Sequence, residues 1–127
     1  MEGRFHAPIL RFEASTTDEA MKHTERMRAA LRGKRVTEKA MFGGVCFMLG
    51  EHMLCAASPR GYLFRVGKER SAAARPRPGV RTMEMNGRRY EGYLRVDPER
   101  CDAGALRGWL DLAQEYVATL PPKRRRR

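Results

Sequence analysis

The sequence predicts an α+β protein in which an antiparallel sheet, built from two meanders or hairpins, is flanked by an N-terminal and a C-terminal helix. A helical pattern from Thr17 to Gly33 precedes a series of short apolar runs. Two of the turns between these runs contain Gly50-Glu51 and Asn86-Gly87, which are typical of tight β-hairpins. The last part of the chain returns to apolar residues spaced by three and four. Strands grouped between two helices, rather than alternating with helices, indicate the α+β class.

The first helix is predicted from the residues that follow position 16. Thr17 is the expected N-cap, and Asp18 and Glu19 place negative charge in the first turn, where the helix dipole favours it. Helical spacing up to Gly33 is then shown by Ala20, Thr24, Met27 and Leu31. Residues 1–16 have no such period, and we predict a loosely ordered leader, with a short strand on the sheet edge as the alternative.

The centre of the sheet is predicted to be a hairpin of Val45–Leu49 and Met53–Ala57, in which Gly50 supplies the positive φ of a type II′ turn. Both faces of this hairpin are apolar, with Val45, Phe47 and Leu54 on one face and Cys46, Met48, Met53 and Cys55 on the other. Helices should cover one face. An isologous contact with a second copy would cover the other, so we expect a homodimer, with the chain's own helices as the alternative cover.

The remaining elements are assigned from composition and turn signals. Strands are predicted over Val36–Met41, Tyr62–Val66, Val80–Met85 and Arg88–Val96, a short helix over Lys68–Ala74, and a connection over Arg75–Gly79. Asn86-Gly87 indicates a type I′ turn. Asp102 should cap a final helix whose apolar face consists of Leu106, Trp109, Leu110, Ala113, Val117 and Leu120.

Length, charge and cysteine content limit the class of protein this can be. The 127 residues predict one domain over residues 17–122, followed by a basic tail over residues 123–127. The net charge is +11, and the body keeps a positive charge without the five cations of the tail, which favours polyanionic partners. Three cysteines without CxxC spacing, and no apolar run of about 20 residues, lead us to expect a cytoplasmic protein without a membrane partner.

Several segments together have the pattern of a known family. They are Met41-Phe42-Gly43-Gly44-Val45-Cys46-Phe47-Met48 with Met53, then Leu63-Phe64-Arg65-Val66-Gly67, Gly92-Tyr93-Leu94-Arg95-Val96, Trp109, and Leu120-Pro121-Pro122-Lys123. From about Asp18 to Lys123 the chain resembles the TfoX N-terminal domain family of small bacterial proteins. The resemblance implies a secretion-chaperone-like α+β fold, frequent dimers and, for the best-known relatives, regulation of competence genes alongside the cyclic-AMP receptor protein. Those relatives carry a second, helical domain, where this chain has its basic tail.

The resemblance brings no catalytic residues, and no catalytic, cofactor or metal site is predicted. Gly43-Gly44 precedes a strand, whereas phosphate-binding glycine loops open a helix, so a role in backbone geometry is favoured. The cysteines and histidines lack zinc-ligand spacing, which favours core packing over a metal site. We therefore expect a non-enzymatic regulatory or adaptor protein that acts through protein contacts.

The two central cysteines are predicted to be neighbours. If Leu49 faces His52 across the two-residue turn, counting back places Cys46 opposite Cys55 in a non-hydrogen-bonded pair, where side chains approach closely. An oxidant could then join the two thiols, although a reducing compartment argues against this as normal behaviour.

A cationic strip is the remaining candidate site. It would consist of Arg65, Arg81, Arg88, Arg89 and Arg95, interleaved with Tyr62, Tyr90 and Tyr93, and would contact phosphate or an acidic protein. Charges on a solvated sheet edge also prevent edge-to-edge pairing, and this interpretation is favoured because no RNA-recognition or helix-turn-helix pattern is present. The tail, Lys123, Arg124, Arg125, Arg126 and Arg127, is expected to be disordered by self-repulsion and to bind nucleic acid nonspecifically. The alternative function is therefore a stand-alone nucleic-acid-binding module that uses the sheet arginines and the tail.

Overall fold

The computed structural model describes residues 21–41 and 43–122, so the predicted leader, the cap at Thr17 and the basic tail lie outside the described residues. Its elements are α1 (residues 21–30 of the described chain), β1 (Val36–Met41), β2 (Gly44–Leu49), β3 (His52–Ser58), β4 (Gly61–Arg65), α2 (Lys68–Ala74), β5 (Val80–Met85), β6 (Arg88–Val96), a 3₁₀ turn (Pro98–Arg100) and α3 (Ala103–Ala118). The predicted α+β class, with an antiparallel sheet between N-terminal and C-terminal helices, is confirmed.

The six strands of the described chain form one sheet in the order β1-β2-β3-β4-β6-β5, and every neighbouring pair is antiparallel. The first four strands follow one another as a meander. The chain then passes through α2 to β5 at the far edge and returns as β6, which fills the position beside β4. At this junction the backbone N–H groups of Val66 and Gly67 both donate to the carbonyl oxygen of Gly92.

The two tight turns have the backbone geometry that the sequence predicts. Gly50 has a φ of 65°, and Glu51 does not have a positive φ, as a type II′ turn requires. Asn86 and Gly87 have φ values of 55° and 73°, so both central positions are left-handed, as in a type I′ turn. At the final helix, the side chain of Asp102 accepts a hydrogen bond from the backbone N–H of Ala105 at 2.8 Å, which confirms the predicted cap.

The register of the central hairpin differs from the prediction. The pairs nearest the turn are Leu49 with His52 and Met48 with Met53, and beyond them Phe47 pairs with Cys55 and Cys46 with Ala56. Leu54 is the extra residue of a β-bulge, and both it and Cys55 belong to the core. The predictions that Cys46 lies opposite Cys55 and shares its face are therefore wrong. The bulge moves Cys55 to the face of Phe47.

The helices lie on one face of the sheet. This inner face carries two cross-strand rows, Val45-Ala57-Tyr62-Val96-Val80 and Phe47-Cys55-Phe64-Leu94-Thr82. Met27 of α1 and Leu31, which follows α1 directly, join most of these residues in one buried core with Leu106 and Trp109 of α3. Ion pairs reinforce the layer at its rim: Arg28 contacts Glu38 of β1 at 2.6 Å, and Arg70 of α2 contacts Glu115 of α3 at 2.8 Å.

Gly44 lies very close to β3 in the central hairpin. A Cβ atom at this position would overlap the carbonyl oxygen of Ala57 and would lie 2.7 Å from Cβ of Ser58. Both obstacles are on β3, whose position is fixed by pairing on both sides, so neither can move away cheaply. Gly44 therefore has the predicted role in backbone geometry, because β2 and β3 pack too closely for a side chain at this position.

We expect Gly44→Ala to lower the free energy of unfolding by about 3 kcal/mol, because overpacking against backbone atoms forces the strands apart. Gly108→Ala is the matched control, since a Cβ at Gly108 in α3 would meet nothing within 4 Å. That change should raise stability by up to about 1 kcal/mol through helix propensity. Denaturant unfolding of both variants measures the difference, and equal stabilities would contradict the role assigned to Gly44.

Candidate anion-binding surface

The outer face of the sheet, opposite the helices, changes from apolar to cationic along one cross-strand row. Because strand side chains alternate between faces, the residues between those of the core point outward. Ala56 of β3 pairs with Leu63 of β4, Leu63 pairs with Arg95 of β6, and Arg95 pairs with Arg81 of β5. Leu63 is buried, Arg95 is half-buried and Arg81 is exposed, so the charge becomes more accessible toward the β5 edge.

Five arginines line a groove of about 630 Å³ at the cationic end of this row. We call it the arginine groove, and its lining consists of Arg60, Arg75, Val80, Arg81, Thr82, Glu84, Arg89 and Arg95. Arg60 comes from the β3–β4 turn and Arg75 from the segment after α2, while the other residues belong to β5 and β6. The sheet order brings these four parts of the chain together.

In the described chain no ion pair joins an arginine of the groove to a carboxylate, although Glu84 lies opposite Arg89. Burial, together with the positive charges of Arg60 and Arg81, lowers the pKa of Arg95. Among residues 21–41 and 43–122, the ion pairs lie elsewhere, and Glu84 is the single acidic residue in the lining. Like charges directly opposite each other on neighbouring strands are destabilising, as Arg81 and Arg95 are here. An anion in the groove would relieve this repulsion.

An apolar pocket of about 310 Å³ adjoins the groove. Its lining consists of Met41, Ala56, Ala57, Ser58, Arg60, Gly61, Leu63, Met83 and Arg95. Arg60 and Arg95 therefore belong to both cavities and mark their boundary. A ligand that enters both must place an apolar group directly beside its negative charge.

The predicted cationic strip is only partly assembled. Arg81, Arg89 and Arg95 line the arginine groove, whereas Arg65 lies 5.6 Å from the ring centroid of Tyr93 and Arg88 lies 5.8 Å from that of Tyr90. Arg65 and Arg95 are on β4 and β6, which are interior strands, so a solvated edge does not account for them. The predicted contacts at Lys123 to Arg127 lie outside the described residues.

Tyr62 does not take the place predicted for it on the cationic strip. It is fully buried on the inner face, where its ring meets those of His23 at 5.7 Å and Phe64 at 6.1 Å. Within the described part of the chain its hydroxyl has no hydrogen-bond partner, and burial raises the pKa of this group. The aromatic residue is therefore part of the core.

Two groove residues were missed by the sequence reasoning, namely Arg60 and Arg75. The turn signal Ser58-Pro59-Arg60-Gly61 correctly places Arg60 between two strands, but not beside β6. Its position in the groove depends on the insertion of β6 between β4 and β5, for which the sequence offers no local signal.

The residues of the family pattern lie mainly at positions of tight backbone packing or in the core. Phe42 lies outside the described residues, and Gly43 has a φ of 75° before the close approach at Gly44. Gly67 and Gly92 have φ values of 90° and 94° at the junction of β4 and β6, and a Cβ at Gly67 would lie 2.7 Å from the Tyr116 ring. Phe47, Val66 and Trp109 are buried, whereas Met41, Met53 and Arg65 are half-buried.

The three cysteines, Cys46, Cys55 and Cys101, are free and buried. Burial is the main cause that raises the pKa of each thiol, which lowers the fraction present as reactive thiolate. Within the described ranges, no three side chains of His, Cys, Asp or Glu are grouped so that they could hold a metal ion.

The fold and this surface define a small α+β protein with its helices packed on one sheet face and an arginine-lined groove on the other. A family model of the TfoX N-terminal domain matches residues 29–116. The chain belongs to the TfoX N-terminal domain family. Neither the curated proteins nor the solved structures compared with the chain gave a match. None of the described helices has the length and apolar character needed to cross a membrane.

We expect the native protein to react slowly with a thiol reagent at pH 8, because all three thiols are buried and their pKa values are raised. Absorbance of the released aromatic thiolate, with and without guanidinium chloride, measures this. The unfolded protein should release three equivalents at once. Mild oxidation of the native chain followed by mass spectrometry is the second measurement, and a rapid Cys46–Cys55 disulfide would contradict the bulged register.

We expect Arg81→Gln to raise the free energy of unfolding by up to about 1 kcal/mol at low salt, because it removes a like charge opposite Arg95. The gain should shrink as salt screens the repulsion. Arg107→Gln, at an exposed position of α3, is the matched control for loss of one positive charge. Thermal unfolding at two ionic strengths separates the variants, and identical behaviour of the two would contradict the electrostatic account of the groove.

Proposed function

We propose that this TfoX-type chain is a bacterial cytoplasmic adaptor or regulatory protein that acts by binding another protein rather than by catalysis. The outer sheet face is its contact surface. One observation supports the proposal most directly: the arginine groove and the apolar pocket share Arg60 and Arg95, so cationic and apolar recognition are combined on one face. Mixed surfaces of this kind, with arginine beside an apolar centre, are typical of protein interfaces.

The packing of the family pattern is consistent with this division of the molecule. Gly44 allows the backbone to pack closely, and Gly67 and Gly92 adopt positive φ values. Trp109 packs against the inner face of the sheet. These glycines and the tryptophan of the family pattern thus stabilise the fold. The contact surface is formed by other residues, such as Arg60 and Arg81, that the scaffold presents.

A second candidate function is nucleic-acid binding. Five groove arginines provide the positive charge that phosphate contacts need, and the basic tail adds five cations. Against this, Tyr62 is buried and unavailable for base stacking. The arginines could therefore contact a phosphate backbone, whereas Tyr62 could not stack on bases.

A homodimer stays a prediction. Met48 and Met53 remain half-buried at the turn end of the central hairpin, and neither lines the arginine groove. Cover by a second copy at this end would leave the arginine groove free for another partner.

We expect duplex DNA to bind mainly through the tail. Removing residues 124–127 should weaken binding at low salt and should flatten the dependence of log affinity on log salt by up to about 3 to 4, because each phosphate contact contributes about 0.9 to that slope. Fluorescence anisotropy of a labelled duplex at two salt concentrations gives the measurement. Arg81→Gln in the full chain tests the groove separately.

The result decides between the two functions. If the shortened chain binds DNA as tightly as the full chain, and Arg81→Gln abolishes that binding, the nucleic-acid function replaces the adaptor function. If DNA binding is lost with the tail and unaffected by Arg81→Gln, the groove is free for a protein.

A further inference from the structure

The arginine groove and the apolar pocket together have a shape and polarity that select one kind of ligand. Resting on the proposed adaptor function, we propose that they bind an extended acidic segment of a partner protein that carries one bulky aliphatic side chain. The carboxylates lie along the arginine groove, and the aliphatic side chain enters the apolar pocket at the boundary formed by Arg60 and Arg95.

The groove follows an edge strand, which favours an extended ligand. Val80, Arg81, Thr82 and Glu84 all belong to β5 and line the groove. Val80 and Thr82 are in the inner-face rows, so the groove includes the edge of the sheet as well as its outer face. Within the described residues β5 pairs only with β6. A segment that lies along them therefore tracks the strand for most of its length. Extended segments present alternate side chains to the surface beneath them, so acidic residues and an aliphatic residue can face this surface together.

The guanidinium groups are suited to carboxylates. Arginine binds carboxylates through two parallel N–H···O bonds, and these bonds are stronger than neutral ones. Arg81 and Arg95 are opposite each other, and Arg95 has its pKa lowered by burial and by neighbouring positive charge. A carboxylate between them would offset both effects. An acidic partner would therefore compensate these two cations.

The pocket favours an aliphatic side chain over a nucleobase. Among the described residues, its lining contains Met41, Ala56, Leu63 and Met83 and no aromatic ring on which a base could stack. Tyr90 and Tyr93, the nearest aromatics predicted for a nucleic-acid strip, are instead in contact with Arg88 and Arg65. Its volume of about 310 Å³ is at the small end of ligand sites, which range from about 300 to 1,000 Å³. One bulky side chain is a suitable occupant.

Fluorescence anisotropy with synthetic peptides and the full-length protein tests the proposal. The probe is a labelled peptide of sequence Asp-Glu-Asp-Leu-Glu-Asp-Glu. Its controls are the same peptide with Ser in place of Leu, a neutral version with Asn and Gln in place of the acids, and a duplex DNA. We expect the probe to bind, the Ser peptide to bind about tenfold more weakly because burial of Leu is lost, and the neutral peptide not to bind.

Protein variants locate the two contacts. Arg95→Gln and Arg81→Gln should each weaken the acidic probe at least about tenfold, since hydrogen bonds to charged groups contribute about 1.5 to 3 kcal/mol. Arg107→Gln, an exposed charge on α3, should leave binding unchanged. Ala56→Leu fills the pocket without changing charge, and should weaken the Leu peptide while leaving the Ser peptide unaffected.

The comparison of Leu and Ser peptides needs no change to the protein, so it holds even if Ala56→Leu fails to fold. If the Leu and Ser peptides bind equally, or the neutral peptide binds as well as the probe, the inference is overturned while the adaptor function stands. If no peptide binds, the inference is overturned as well. If DNA binds instead and Arg95→Gln abolishes that binding, the inference and the proposed function both fail.

Discussion

The arrangement of this protein depends on how Trp109 of α3 is held. Its ring stacks on Phe64 of β4, with centroids 5.9 Å apart and planes 17° from parallel, and the guanidinium of Arg77 lies 4.3 Å from its centroid. The residue is almost completely buried. The contact fixes α3 over an interior strand of the sheet and anchors the segment before β5 to the same ring. Since Phe64 then faces the helices, strand alternation directs its neighbour Leu63 to the outer face. The chemistry of the outer face is thus determined by the residues between those that build the core.

Local signals in the sequence accounted for most of the elements. The turns at Gly50 and Asn86-Gly87, and the cap at Asp102, were predictable because positive φ and side-chain capping restrict residue choice at single positions. The bulge at Leu54 was not. Met53, Leu54 and Cys55 are all apolar, so this strand has no alternation of apolar and polar residues that an inserted residue would interrupt. Where both faces of a strand are apolar, composition does not determine which residue faces the core.

The candidate surface was less predictable than the fold, because it depends on long-range pairing. Arg81 and Arg95 belong to the same predicted hairpin, but the register set by its turn would place Arg81 opposite Gly92. A register shift between Thr82 and Met83 brings Arg81 opposite Arg95 instead. Arg60 reaches them because β4 pairs with β6, which the chain forms only after α2 and β5. The family pattern does not predict that these arginines come together. Its glycines lie where the backbone passes close to other atoms, as Gly67 does to the Tyr116 ring. Such contacts stabilise the fold but do not specify what it binds.

The placement of Arg95 connects stability with binding. A guanidinium on an interior strand loses hydration, and Arg95 also lies opposite another cation without a carboxylate partner in the described chain. Both effects raise the free energy of the unliganded protein. A β-branched apolar residue at the same position would pack on the pleated sheet without either cost. An anion that binds only the folded chain removes the repulsion and stabilises the fold by mass action at the same time. The charge is therefore an unfavourable feature of the isolated protein that a ligand of opposite charge would offset, which is what the proposed acidic partner would supply.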